Sequence, residues 1–152
     1  MFDTVLGLPV HALVVHGVVV LVPLTALITA VVACVPRWRV RRRVVWPVVV
    51  LDAGMVAMTV VARQSGEALR TRLGGQVAAE HAAIGKNLVW FTLAVFVASL
   101  VVALGRHSPK ARLGAALSVV AGVLAIWWTI RVGHTGADAV WKGIIASTNS
   151  GK

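Results

Sequence analysis

Residues 9–43 read PVHALVVHGVVVLVPLTALITAVVACVPRWRVRRR, an apolar run of 27 residues followed by five arginines within eight positions. The run exceeds the roughly 20 apolar residues that a helix needs to cross the hydrocarbon core of a bilayer. Arginine and lysine concentrate in the short loops that remain in the cytoplasm. The stretch therefore predicts a membrane-spanning helix that ends on the cytoplasmic side.

The rest of the chain contains three further apolar stretches of spanning length. Over the whole chain 59% of the residues are hydrophobic and 13% are charged, with a mean hydropathy of +0.88, whereas a soluble domain carries about 25% charged residues. Lipid-exposed backbone must satisfy its own hydrogen bonds, which favours helices. We predict an all-α polytopic membrane protein, one four-transmembrane-helix domain over 1–152 with spans at 9–35, 44–62, 84–104 and 113–132.

The net charge of +10 divides unequally between the two ends of the predicted bundle. The short loops 36–43 and 105–112 hold eight basic and no acidic residues. The N-terminus, the loop 63–83 and the C-terminal segment 133–152 hold five basic and four acidic residues, and Lys86 and Arg131 at the outer ends of the adjoining spans bring the basic residues on this side to seven. The positive-inside rule predicts that both termini lie outside (N-out/C-out). Because these basic residues are explained as topology signals that meet lipid headgroups, no nucleic-acid partner is predicted.

Four of the five histidines fall at the outer end under this topology. His11 and His16 lie near the start of the first span, His81 precedes the third, and His134 follows the fourth. Polar groups close to the bilayer are costly and tend to be functional. His107 lies in a basic inner loop, where a solvated surface position is expected. The candidate site is therefore predicted on the extracytoplasmic side.

The two histidines of the first span do not face the same direction on a regular helix. His11 and His16 are five residues apart, which separates them by roughly 7.5 Å along the axis and about 140° around it. Both can serve one broad site or two neighbouring sites. Further polar candidates at this end are Glu80, Asn87, Arg131 and Asp138.

Three chemistries use histidines in this arrangement. Two histidines from different helices can bind haem b, with an outer arginine such as Arg131 pairing with a propionate. Imidazoles, with or without Glu80, can bind Cu, Zn or Fe. Histidines near the surface can also handle protons together with Asp52, Asp138 and Asn87 as relay groups. The structural alternative is a hydrogen-bonded polar cap that closes the outer end of the bundle.

Asp52 is the one acidic residue inside a predicted span. It lies about 16 Å from Arg63 at the rise of a helix, and an ionised carboxylate at that depth is costly. The sequence therefore predicts that Asp52 is protonated or hydrogen-bonded to a hydroxyl, either as structural contact between helices or as a proton relay. The candidate hydroxyls are those of Thr25, Thr29, Thr92 and Ser118.

Small residues recur every four positions on the fourth span, at Gly114, Ser118 and Gly122. Small side chains let helix backbones approach closely in lipid, where no hydrophobic effect drives helices together. This face of the fourth span is therefore predicted to pack against a neighbouring helix. The single cysteine, Cys34, excludes an intrachain disulfide.

Four motifs follow one another along the chain. A His-x4-His element opens the first helix at His11, Ser65-Gly66-Glu67 follows the second, His81 opens the third, and GHTGADAVWKG follows the fourth at 133–143. This ordered set resembles a family of bacterial four-helix membrane proteins, domain of unknown function 2231, over almost the whole chain. The resemblance implies that the protein lies in a bacterial cytoplasmic (inner or plasma) membrane. It also implies a redox association, because some members are fused to Rieske iron–sulfur domains.

Together these features predict a redox-linked electron-transfer or binding protein rather than a stand-alone enzyme. The preferred prediction for the cofactor is haem b, and Cu, Zn or Fe are the alternatives. The expected partners are the lipid bilayer, a quinone or a respiratory or other redox complex, and a second copy in a homo-oligomer. A metal-ion-binding membrane protein and a non-catalytic accessory subunit of a larger membrane complex are the alternative functions. The sequence offers no nucleophile–base pair for hydrolysis and no paired broken helices for transport.

Overall fold

A computed structural model describes residues 4–5, 8–72 and 78–149 of the chain. A two-residue antiparallel strand pair precedes the first helix, and the rest of the described chain is helical apart from short connections. The elements are β1 (Thr4–Val5), β2 (Leu8–Pro9), α1 (Val10–Cys34), α2 (Pro36–Arg39), α3 (Arg42–Arg72), α4 (Ala79–Gly85), α5 (Leu88–Gly105) and α6 (Lys110–Asn149).

The predicted fold class is confirmed, because four helical segments are long and apolar enough to span a membrane. Their mean hydropathies lie between 2.0 and 2.5 over the most apolar 18 residues. Leucine, valine and isoleucine side chains cover the outer faces of these helices, as expected for contact with lipid. The segments are Val10–Cys34, Arg42–Arg72, Ala79–Gly105 and Lys110–Lys142.

The outer segments are more helical than the sequence suggested. The predicted loop 63–83 continues α3 as far as Arg72 and contains most of α4, and the predicted tail 133–152 continues α6 as far as Asn149. Neither segment contains proline, and a helix propagates readily once it has been nucleated. The apolar spans therefore mark where each helix crosses the bilayer and not where it ends. Residues 73–77 and 150–152 of these segments lie outside the described part of the chain.

The four spanning helices form a bundle in which each packs against two neighbours. α1 and α5 each contact both α3 and α6, so α1 and α5 lie across a diagonal of the bundle. Buried apolar side chains form one cluster toward the end of the bundle where α1 begins and α6 ends, and another toward the opposite end. We call these the outer and the inner end, after the predicted orientation. The inner cluster includes Val32, Ala33, Val45, Val102 and Ala103.

The predicted packing role of the small residues on α6 is confirmed. Ser118 is fully buried and donates its hydroxyl to the Gly114 carbonyl. A Cβ added at Gly114 would lie 2.9 Å from the backbone nitrogen of Val102, and one added at Gly122 would lie 3.4 Å from the Ala26 carbonyl oxygen. α6 therefore approaches the backbone of both α5 and α1.

The two halves of the bundle correspond to each other with an offset of 70 residues. The hairpin of α1 with α3 is equivalent to the hairpin of α4–α5 with α6, because equivalent helices begin within two residues of each other and α1 and α5 end within one, although α6 continues seven residues beyond the equivalent of Arg72. Equivalent helices run in the same direction, so the two hairpins are related by an approximate two-fold axis that runs along the bundle. Residues that are buried at both equivalent positions include Val18 and Leu88, Val32 and Val102, Ala33 and Ala103, Met55 and Ala125, and Thr59 and Thr129.

Candidate functional site

His11 is held by α3 through its Nδ1 nitrogen. This atom lies 3.0 Å from the carbonyl oxygen of Ala62 and 3.5 Å from the Ser65 hydroxyl, and that hydroxyl donates to the same carbonyl at 3.1 Å. A carbonyl oxygen only accepts hydrogen bonds, so Nδ1 of His11 carries the proton and donates it. In the neutral ring Nε2 therefore carries no proton, and its lone pair can bind a metal ion or accept a hydrogen bond.

His81 is held by α6 in the same way. Its Nδ1 lies 3.1 Å from the carbonyl oxygen of Val132 and 3.4 Å from the Thr135 hydroxyl, which donates to that carbonyl at 3.1 Å. In both halves the carbonyl comes 51 residues after the histidine and the hydroxyl 54 residues after it. The Nε2 atom of His81 is accordingly left as a second lone-pair donor.

A glycine on the partner helix leaves room for each ring. A Cβ at Gly66 would lie 2.8 Å from Cε1 of His11, and a Cβ at Gly136 would lie 3.1 Å from Cε1 of His81. Both distances are shorter than ordinary van der Waals contact. The His11 ring therefore lies against Ser65 and Gly66, and the His81 ring lies against Thr135 and Gly136.

The two imidazoles meet between the halves of the bundle. The ring centroids of His11 and His81 are 6.2 Å apart with an angle of 68° between the ring planes, and both residues are half-buried. We refer to these two residues as the histidine pair. The pair brings two imidazoles, each held through Nδ1, to one end of the bundle from two different hairpins.

The other two outer histidines lie outside this pair. His16 is exposed, and its Nδ1 contacts the carbonyl of Ala12 on its own helix. The side chain of His134 is 77% exposed, and its Nε2 lies 4.0 Å from the Asp138 carboxylate. Asp138 also forms a 2.8 Å ion pair with Lys142 on the helix surface. The rotation of about 140° between positions 11 and 16 of a helix explains why only His11 faces the axis.

The remaining outer candidates do not converge on the histidine pair. Glu80 is exposed, and Asn87 is half-buried at the start of α5. The Arg131 guanidinium lies over the rings of Trp127 and Trp128, at 5.4 and 5.6 Å from their centroids, a cation–π arrangement. Over 4–5, 8–72 and 78–149, no group of three or more His, Cys, Asp or Glu side chains could hold a metal ion.

Asp52 lies apart from the histidine pair, inside the bundle. The Thr29 hydroxyl on α1 is 3.0 Å from both carboxyl oxygens, which confirms one of the hydroxyl partners that the sequence suggested. Ser99 on α5, which the sequence did not suggest, also lies beside this carboxyl, and its hydroxyl donates to the Phe96 carbonyl at 2.8 Å. Thr92 instead contacts the Thr59 hydroxyl at 3.0 Å.

The residues that sequence reasoning missed are all related to the 70-residue correspondence. Ser65 and Thr135 each precede a glycine and each follow a histidine by the same number of residues. Ser99 is likewise the equivalent of Thr29. A comparison of the two halves would have pointed to these residues, although most equivalent positions carry different side chains.

The comparisons with known proteins agree with the fold. The family described as predicted membrane protein (DUF2231) matches residues 7–149. No curated protein and no solved structure matches the chain. The matched range covers both hairpins and both members of the histidine pair. The chain is thus an integral membrane protein that belongs to the family called domain of unknown function 2231.

Proposed function

We propose that this protein is a redox-linked membrane protein in which His11 and His81 are the protein ligands of one cofactor. One observation supports the proposal: imidazoles from two hairpins, each held through Nδ1–H on a carbonyl, have centroids 6.2 Å apart. Metal-binding histidines are commonly held in this way, because the second hydrogen bond sets the tautomer. Two imidazoles that bind one metal from opposite sides, each at about 2 Å, would have their ring centres about 6 Å apart.

The number of available ligands favours haem b over a bare metal ion. Haem iron takes at most two axial protein ligands, since the porphyrin supplies the other four, whereas a structural zinc site takes four protein ligands. Within the described chain no third His, Cys, Asp or Glu joins the pair. Copper, which also binds imidazole well, is the alternative.

The proposed role is one-electron transfer, which is the chemistry that bound haem supplies. The chain holds each imidazole through Nδ1–H, which would leave Nε2 for the metal. Arg131, whose guanidinium lies over Trp127 and Trp128 at the same end of the bundle, is the proposed partner of a propionate. The donor would be a quinol or a larger membrane complex, and the acceptor would lie on the extracytoplasmic side. That side is proposed because the opposite loops carry eight basic and no acidic residues.

We expect the purified protein to contain one cofactor that depends on both members of the histidine pair. Absorption spectra of oxidised and dithionite-reduced protein, with metal analysis of the same sample, should show a Soret band, a reduced α band and stoichiometric iron. His11→Ala and His81→Ala should each lose this signal, because haem then keeps one axial ligand. His16→Ala and His134→Ala are the matched controls and should retain it, since both side chains are exposed.

Stoichiometric copper without a Soret band, lost in the same two variants, would identify the cofactor as copper. Wild-type protein with neither signal would refute the proposal. If the wild type contains no cofactor and the alanine variants are less stable to heat, the histidines have a structural role, as expected for a non-catalytic accessory subunit.

A second variant moves the imidazole without removing it. We expect Gly66→Ala to push the His11 ring off the Ala62 carbonyl, because the new Cβ would lie 2.8 Å from Cε1 and 3.0 Å from Nδ1. Loss of a supporting hydrogen bond of this kind weakens metal binding by about 10–100-fold. Cofactor titration measures the effect. Gly54→Ala on the same helix is the control, since its Cβ would meet nothing within 4 Å; equal affinities in the two variants would contradict the expected ring displacement.

A further inference from the structure

Asp52 lies where the two hairpins meet, and only one hairpin carries it. The residue is 1% exposed and faces Thr29 and Ser99, which are equivalent positions of the two halves. Its own equivalent on α6 is Gly122. The two halves therefore offer a matched pair of hydroxyls to a single carboxyl group near the axis.

No charged side chain lies on the neighbouring helices at this depth. α1 between 17 and 33, α5 over Leu88–Gly105 and α6 between 113 and 130 contain no titratable residue. Along α3 the nearest charged residues are Arg43 and Arg63, about 13 and 16 Å away at the rise of a helix. An ionised carboxylate at this position would therefore be buried without a counter-ion, which is strongly unfavourable in a membrane.

A count of hydrogen-bond donors also favours a neutral carboxyl. Thr29 has one hydroxyl proton to donate to Asp52, whereas the Ser99 hydroxyl donates its single proton to the Phe96 carbonyl at 2.8 Å. An ionised carboxylate would receive one donor for about four acceptor sites. A protonated carboxyl needs fewer donors, because it accepts from Thr29 and would offer its own proton to the neighbouring Ser99 oxygen.

A small cavity connects this carboxyl with further hydroxyl groups. The cavity has a volume of about 10 Å³ and is lined by Asp52, Thr25 and Thr92 among apolar side chains, which is about the space that one water molecule needs. Thr92 on the cavity wall contacts Thr59 at 3.0 Å. Thr59 lies two turns from Asp52 on α3, on the way to the outer end.

We propose that Asp52 is a proton-binding site within the membrane, occupied at neutral pH and reached from the outer end through Thr59, Thr92 and the cavity. The bound ligand is H⁺ itself, exchanged between the carboxyl and a water molecule in the cavity. Binding of the proton does not depend on a cofactor at the histidine pair. The proposal therefore fails or succeeds separately from the proposed redox function.

Infrared spectroscopy of the full-length protein at pH 7 tests the proposal. We expect a carbonyl band of a protonated carboxylic acid that shifts when aspartate is ¹³C-labelled. The band should be lost in Asp52→Asn and retained in Asp138→Asn, whose carboxylate is ion-paired at the surface. Asp52→Asn should fold, because an amide donates to the Ser99 oxygen and accepts from Thr29.

The proposed route is tested by hydrogen–deuterium exchange of the same band. In D₂O the wild-type band should shift as the carboxyl exchanges its proton, and Thr92→Val should slow that shift by tenfold or more. The absence of a ¹³C-sensitive carboxylic acid band in the wild type would overturn the proposal that Asp52 binds a proton. This measurement needs only the labelled wild-type protein, so it does not depend on the folding of any variant. An unchanged exchange rate in Thr92→Val would overturn the route.

Discussion

Replacing Gly114 by alanine should destabilise the bundle, although alanine is the better helix former. The new Cβ would lie 2.8 Å from Cγ2 of Val102 and 2.9 Å from its backbone nitrogen. A backbone atom cannot rotate away, so α5 and α6 would have to separate along their contact. Overpacking of this kind costs about 1–3 kcal/mol, against a gain of about 1 kcal/mol from helix propensity. Gly114→Val should have a larger effect in the same direction.

Two other glycines of the spanning helices are suitable controls for this prediction. A Cβ at Gly54 or Gly133 would meet nothing within 4 Å, so Gly54→Ala and Gly133→Ala should be as stable as the wild type or more so. Reversible unfolding of the purified protein in detergent, followed by circular dichroism, measures the free energy of each variant. If Gly114→Ala were as stable as Gly54→Ala, α5 and α6 would not be in close backbone contact.

Removing the five arginines of the first inner loop should invert the orientation of a large fraction of the protein. Substitution by asparagine lowers the basic residues of the inner loops from eight to three, whereas the outer segments keep five and the adjoining span ends keep Lys86 and Arg131. The positive-inside rule then favours the opposite orientation. The packing of the spans should be little affected, since most of these side chains are exposed. The arginines are Arg37, Arg39, Arg41, Arg42 and Arg43.

Labelling of single cysteines in spheroplasts with an impermeant maleimide measures this orientation. Cys34→Ser provides a cysteine-free background, in which Gln64→Cys reports the outer end and Ser108→Cys the inner end, both at exposed positions. With the natural arginines Gln64→Cys should react in intact spheroplasts, and Ser108→Cys only after permeabilisation. The arginine-free protein should show the reverse pattern. Reaction of Ser108→Cys in intact spheroplasts with the natural arginines would disprove the N-out/C-out orientation.

The candidate site could be predicted from the sequence only in part. Helical rise placed His11, His16, His81 and His134 at one end of the bundle, because depth along a helix follows from residue number alone. The choice of the two that meet depends on how each helix is rotated about its axis. The relative rotation of two helices is set by packing across the whole interface, so no single motif shows it.

The length and hydropathy of its apolar stretches were enough to establish this chain as a four-helix membrane protein, and the position of Asp52 within a span followed from the same count. These properties are local, since each helix satisfies its own backbone hydrogen bonds in lipid. The contacts of the histidine pair were visible only in the folded chain. They are made with the carbonyls of Ala62 and Val132, and a backbone carbonyl has no residue type by which a sequence could reveal it. The meeting of Thr29 and Ser99 at Asp52 likewise required the two hairpins to be assembled around their common axis.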